Sequence, residues 1–141
     1  MEENGNRKER SSPLPPEIER VGAQVVDAAL AVHRALGPGL LESVYEVCLA
    51  RELAKRGLHF QRQVEVPVVY DDILLQAALR LDLLVEKLVV IELKAVEALS
   101  PLHHAQLLTY LRLSGYTLGY LINFNVPLLK DGLHRKVMRK K

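Results

Sequence analysis

From Glu17 onward the apolar positions Ile18, Val21, Val25, Ala29, Val32 and Leu36 return at steps of three and four, which lines one stripe of a helix. Glu17 and Glu19 fall where the positive end of that helix favours carboxylates, and Gly37-Pro38-Gly39 ends it. A second helix is predicted over about Leu41 to Lys55, with Val44, Val47, Cys48 and Leu53 as core positions and Gly57 as its stop. The period then drops from about 3.6 to 2. Val64, Val66, Val68 and Tyr70 alternate with other residues as in a strand. Pro67, with no N–H to give a ladder, places that strand at an edge or at a bulge. Asp71-Asp72 turns the chain into a second strand, about Ile73 to Val85, and Glu86-Lys87 into a third, Leu88 to Lys94. A helix is predicted over about Leu102 to Leu113, after Pro101 and before Gly115. Tyr116 to Phe124 is almost wholly apolar, as expected of a strand covered on both faces.

The order ααβββαβ predicts an α/β domain with a four-stranded mixed sheet flanked by helices. The first three strands form an antiparallel meander, and the strand–helix–strand unit over 88–124 is a right-handed crossover between parallel strands. Residues 1–16 are polar and close on Ser-Ser-Pro-Leu-Pro-Pro, a composition expected of a disordered leader. The expected division is a leader over 1–16, one domain over 17–129 and a basic tail over 130–141.

Composition narrows the setting. The chain has 141 residues, 49% apolar and 26% charged, as in a soluble globular domain. Cys48 is the only cysteine, so no internal disulfide is available. No apolar run reaches the roughly 18 to 20 residues of a membrane span, and the opening MEENGNRKER lacks a signal-peptide core. The expectation is a reduced, cytoplasmic protein without a membrane partner. The formal charge of +2 is unevenly spread. Residues 130–141 carry six basic groups against Asp131, whereas 17–129 carry ten basic against thirteen acidic. The fold itself is therefore not a general basic surface for nucleic acid.

The polar residues that interrupt apolar segments are the informative ones. Asp82 breaks the second strand, and Glu92 and Lys94 close the third. A buried carboxylate needs a partner or a metal. Glu92 and Lys94, two apart, share a face. Asp82 joins that face only if it opposes Glu92 or a residue two away. Pairing Val85 with Leu88 would send the carboxylates to opposite faces, whereas a three-residue connection pairing Val85 with Val89 opposes Asp82 to Glu92. Converged carboxylates without His or Cys suit a hard ion, Mg²⁺ or Mn²⁺. Lys94 beside them suits phosphoryl chemistry. The other reading of Glu-x-Lys is a structural ion pair at a sheet end. His103, Gln106 and Tyr110 form one helical stripe, placing Gln106 where it approaches Lys94. Glu42 and Glu46 share a face of the second helix, where Glu42 is also explained by the helix dipole.

Gly39-Leu40-Leu41-Glu42-Ser43-Val44-Tyr45 resembles the signature of the small bacterial GxxExxY family, and Arg80-Leu81-Asp82, Glu92-Leu93-Lys94, Gln106-Leu107-Leu108-Thr109-Tyr110 and Gly119-Tyr120-Leu121-Ile122-Asn123-Phe124 follow in that family's order. The resemblance spans about Ile18 to Arg135. That family looks like a compact branch of the PD-(D/E)xK nuclease superfamily. The resemblance implies a restriction-endonuclease-like αβββαβ core and a Mg²⁺-dependent phosphodiesterase site, with Mn²⁺ as substitute. Asp82 and Glu92 match the metal-binding carboxylates, Lys94 the motif lysine, Glu42 the acidic residue from the preceding helix, and Gln106 and Tyr110 the QxxxY element of RecB-like nucleases. Leu81 stands where the signature has proline, a position that supplies no ligand.

Three functional readings follow. In the first the protein is a metal-dependent nuclease cutting DNA, or else RNA, with Arg80 touching backbone phosphate. In the second it is a non-catalytic module that binds nucleic acid or protein through a nuclease-like fold. In the third the charged cluster is an ion-pair network in which Lys94 and Arg80 neutralise Asp82 and Glu92. So small a core needs a homodimer, a partner protein or the basic tail to grip a polymer.

Overall fold

A computed structural model describes residues 14–139. The first helix, α1 (Pro16–Leu36), opens on a proline at its first turn and stops where Gly37 takes φ 69°. Helix α2 spans Glu42–Lys55. Three strands follow, β1 (Phe60–Tyr70), β2 (Ile73–Val85) and β3 (Val89–Lys94). Helix α3 (Pro101–Ser114) is started by a capping box between Ser100 and His103 and ended by Gly115 in the left-handed conformation. Strand β4 (Leu118–Asn123), a 3₁₀ turn (Leu129–Asp131) and strand β5 (Leu133–Val137) complete the order.

The strands form one sheet in the order β1-β2-β3-β4-β5. β1, β2 and β3 are antiparallel, β3 and β4 are parallel across α3, and β5 returns antiparallel to β4. The mixed α/β architecture agrees with expectation, but the sheet has five strands, not four. The fifth comes from the segment expected to be a tail. Every residue of β4 is buried, as its apolar run implied. Pro67 sits on the edge strand at a register shift between Val66 and Val68, so both halves of its reading hold.

Two cores fill the sheet's faces. Val21, Val25, Val32, Tyr45, Leu49 and Leu53 of α1 and α2 pack on Leu83, Val85, Val89, Ile91, Tyr120 and Ile122. On the other side Leu107 and Leu111 of α3 meet Leu79, Leu81, Leu84, Val90 and Leu121. The inward face of α2 differs from the expected one. Val44 and Val47 are exposed and Cys48 is half-buried, while Tyr45 and Glu46 turn inward. Tyr45 stacks on Phe124 at 4.6 Å between centroids and donates its hydroxyl to the Gly37 carbonyl at 2.6 Å. That aromatic anchor rotates the helix away from its aliphatic stripe.

The expected leader lies outside the described residues as far as position 13. Leu14 is buried, and its N–H donates to Glu19 Oε2 at 2.8 Å. Arg135 of β5 donates to both oxygens of the same carboxylate, at 3.0 and 2.9 Å. The basic segment thus spends Arg135 on an internal contact. No helix among the described residues is long and apolar enough to cross a membrane.

Candidate functional site

The turn between β2 and β3 decides where the carboxylates go. It has three residues, with Glu86 and Lys87 both at φ 54° and the Leu88 N–H donating to the Val85 carbonyl at 2.9 Å. Val85 pairs with Val89, Leu84 with Val90 and Leu83 with Ile91. One step further Asp82 opposes Glu92, the register that the convergence of the two acids required. There the backbone ladder gives way to side chains. The Leu93 N–H donates to Asp82 Oδ2 at 2.8 Å, and the Asp82 N–H donates to Glu92 Oε1 at 3.2 Å. Each acid therefore caps an amide of the opposite strand. Beyond this point β2 parts from β3 and runs out with β1 as a two-stranded ribbon to the Asp71-Asp72 turn.

Glu92 is only 5% exposed. Its carboxyl is pushed up to about 9, first by burial, then by the charge of Asp82 and a hydrogen bond shared with it. Lys94 pulls in the other direction without overcoming these effects. Glu42 begins α2 on the exposed rim, and its carboxyl is also raised, by partial loss of water and by the charge of Asp82. Asp82, Glu92, Lys94 and Glu42 thus lie in one electrostatic neighbourhood. Among the described residues, no three His, Cys, Asp or Glu side chains close into a ready-made metal cage. Nor does any Lys or Arg nitrogen among the described residues lie within 4.0 Å of Asp82 or Glu92, their ion pairs being elsewhere. The arrangement is a pair of acids, each bonded to the other's strand, with a lysine nearby, rather than a neutralised network.

Lys94 ends β3 beside Asn123 of the parallel β4. Its carbonyl accepts the Phe124 N–H at 3.0 Å. Gln106 does not bond to Lys94. Its amide donates to the Tyr110 hydroxyl at 2.9 Å, so the QxxxY pair is closed upon itself. Arg80 is exposed and, with Glu65, Leu79 and Tyr110, lines an open groove of about 320 Å³ between the ribbon and α3. His103 serves the capping box, its Nδ1 accepting the Ser100 N–H at 3.0 Å. At the end of a strand an asparagine ordinarily serves a turn, but Asn123 does more. Its amide bridges to the loop after Lys94, with Oδ1 accepting from Val96 and Asn125 and Nδ2 donating to the Val96 carbonyl. The available signal was a lone amide ending an apolar strand.

A family model described as the PD-(D/E)XK nuclease superfamily matches residues 19–136. No curated protein matches the chain. Among solved structures the chain is similar to "Crystal structure of SSO0001", at 18% identity over 95% of this chain and 74% of that one, with a TM-score of 0.51. At this level of identity the likeness concerns the fold alone.

Proposed function

The chain belongs to the PD-(D/E)XK nuclease superfamily, and from that premise we propose that it is a nuclease of the compact GxxExxY type, hydrolysing phosphodiester bonds of DNA with a divalent ion. RNA is the alternative polymer. The observation that carries this reading is the acid pair of Asp82 and Glu92, each bonded to the other's strand and, among the described residues, without a Lys or Arg nitrogen within 4.0 Å. Two carboxyl groups brought together in this way offer oxygens between which a divalent cation can lodge. Oxygen donors without His or Cys fit Mg²⁺, with Mn²⁺ as substitute. Asp82, Glu92, the Leu93 carbonyl and Glu42 would hold the ion, with Glu42 arriving from the rim. Bound there, it supplies phosphate polarisation and a more acidic water.

The chain's own groups do the rest. Lys94, on the Glu92 face of β3, orients the attacking water and offsets charge growing at phosphorus. The Gln106–Tyr110 pair presents an amide and a hydroxyl to a phosphate oxygen. Arg80, in the adjoining groove, takes a neighbouring phosphate. The domain over 17–129 carries these groups, with β5 completing its sheet. A second copy or a partner protein extends the grip on the polymer, and the reducing cytoplasm is the working compartment.

Incubating single- and double-stranded DNA and RNA with the full chain and Mg²⁺ or Mn²⁺ tests this. Metal-dependent cleavage that falls at least roughly 100-fold in Asp82→Asn and Lys94→Ala supports it. No cleavage of any substrate, or equal cleavage by the variants, overturns it. The second reading, a binding module, is favoured by the absence of a closed three-residue metal cage among the described residues. Calorimetry separates the two, since the nuclease reading requires Mn²⁺ binding that Asp82→Asn abolishes.

A further inference from the structure

Glu46 lies one turn along α2 from Glu42 and is 7% exposed. Its carboxylate is fully engaged by two consecutive residues of β1. Arg62 donates through Nε at 3.0 Å and approaches through Nη2 at 2.9 Å, both onto Oε2, while Gln63 Nε2 donates to Oε1 at 2.7 Å. A buried charge bonded so completely holds the parts it joins, because losing one partner leaves the other unpaired.

Gln63 has φ 53°, left-handed backbone that a residue with a Cβ adopts only under constraint. It falls between the Arg62–Leu83 and Val64–Leu81 pairs, opposite Asp82. The ribbon turns over at this point. Leu83 and Val85 pack under α1 and α2, yet Leu81 and Leu79 pack under α3. Residues two apart on a regular strand share a face, so Leu81 and Leu83 on opposite faces mark a twist centred on Asp82. The twist coincides with the point where β2 leaves β3 and the carboxylates replace the ladder.

We propose that Arg62, Gln63 and Glu46 form a positioning clamp for the acidic site. The left-handed backbone of Gln63 turns Asp82 out of the ladder so that its carboxylate reaches the Leu93 N–H. The Glu46 bonds lock that turn to α2, which also sets Glu42 at the rim. Arg62 and Gln63 are positioning residues. This rests on the nuclease reading for its chemical purpose, while its geometric content is independent of any metal.

The test uses the full, metal-free chain, with amide hydrogen exchange followed by NMR at Asp82 and Leu93 and, as reference, at Leu121 in the centre of the sheet. Gln63→Val, whose branched side chain opposes left-handed backbone, lowers protection at Asp82 and Leu93 roughly tenfold relative to Leu121. Gln63→Gly, which keeps that backbone freely, recovers most of it. Gln63→Ala gives the intermediate loss and replaces the valine variant if that does not fold. In parallel, Mn²⁺ affinity falls in the order wild type, Gly, Ala, Val. Protection at Asp82 and Leu93 unchanged in Val and Ala overturns the clamp, and so does an equal loss at all three amides. Wild type failing to bind Mn²⁺ defeats the nuclease reading, while the exchange data still decide the clamp.

Discussion

Glu92 shows how one side chain sets the terms of the site. The folded protein keeps its proton to about pH 9, whereas the unfolded chain releases it in the ordinary carboxylate range. The native state therefore binds more protons between those limits, and stability declines as pH rises through that window. Glu92→Gln keeps an acceptor for the Asp82 N–H and removes the titration. In urea unfolding of the metal-free protein, the variant should match wild type near pH 5. At pH 8.5 it should be more stable by at least about 1 kcal/mol. Parallel pH profiles for the two proteins would show that the buried acid does not carry this cost. The identities of Asp82, Glu92 and Lys94 were legible in the sequence because they interrupt apolar runs. Their opposition was legible only as a condition on the turn, which three residues with two left-handed backbones satisfy. The roles of Gln63, Glu46 and Asn123 were not legible. Periodicity carries no information about positive φ in a non-glycine, and a polar side chain paired in the interior looks the same in sequence as one in water.

At the scale of the element, β5 separates what pattern can show from what it cannot. Leu133-His134-Arg135-Lys136-Val137 is an edge strand with half-buried positions and three basic or imidazole side chains, so it has no clean apolar face. Its place is fixed instead by a close backbone approach. The Asn123 N–H donates to the Gly132 carbonyl at 2.8 Å, and a Cβ on Gly132 would run into the Asn123 carbonyl oxygen. Gly132→Ala should cost roughly 1–3 kcal/mol in chemical denaturation by overpacking, and because Asn123 also holds the loop after Lys94, Mn²⁺ binding should weaken with it. Unchanged stability would mean that β5 is docked loosely. The helices and the first four strands were readable because each buries a continuous stripe or alternates. The start of β1 was not, since Phe60-Gln61-Arg62-Gln63 offers little apolar content while pairing with Val85 to Leu83. The core face of α2 was misread because aliphatic spacing pointed to Val44 and Val47, and an aromatic stack won over it.

For the whole molecule, Glu19 ties α1 to the far edge of the sheet through Arg135, which also reaches the Tyr120 hydroxyl. The guanidinium and the Leu14 N–H hold the Glu19 carboxyl below the usual range. With a lowered native pKa, the stabilisation is present above the ordinary carboxylate range and is lost as pH falls through the native value. Both side chains are substantially exposed, 30% and 39%, so solvent screens the pair. Glu19→Gln should cost only roughly 0.5–1 kcal/mol at pH 7. The difference should shrink on acidification below about pH 4 and in molar salt. A loss independent of pH and salt would assign the effect to packing.

Leu14 and Arg135 meet on one carboxylate, so the two ends of the described chain are neighbours in space. A short flexible bridge between them could close the backbone into a ring. Cutting that ring at the exposed Asp71-Asp72 turn would give a circular permutant with a new beginning and end at the ribbon tip. Such a rewired chain should fold to the same sheet with Asp82 still facing Glu92, because neither the crossover through α3 nor the β2–β3 turn has been opened.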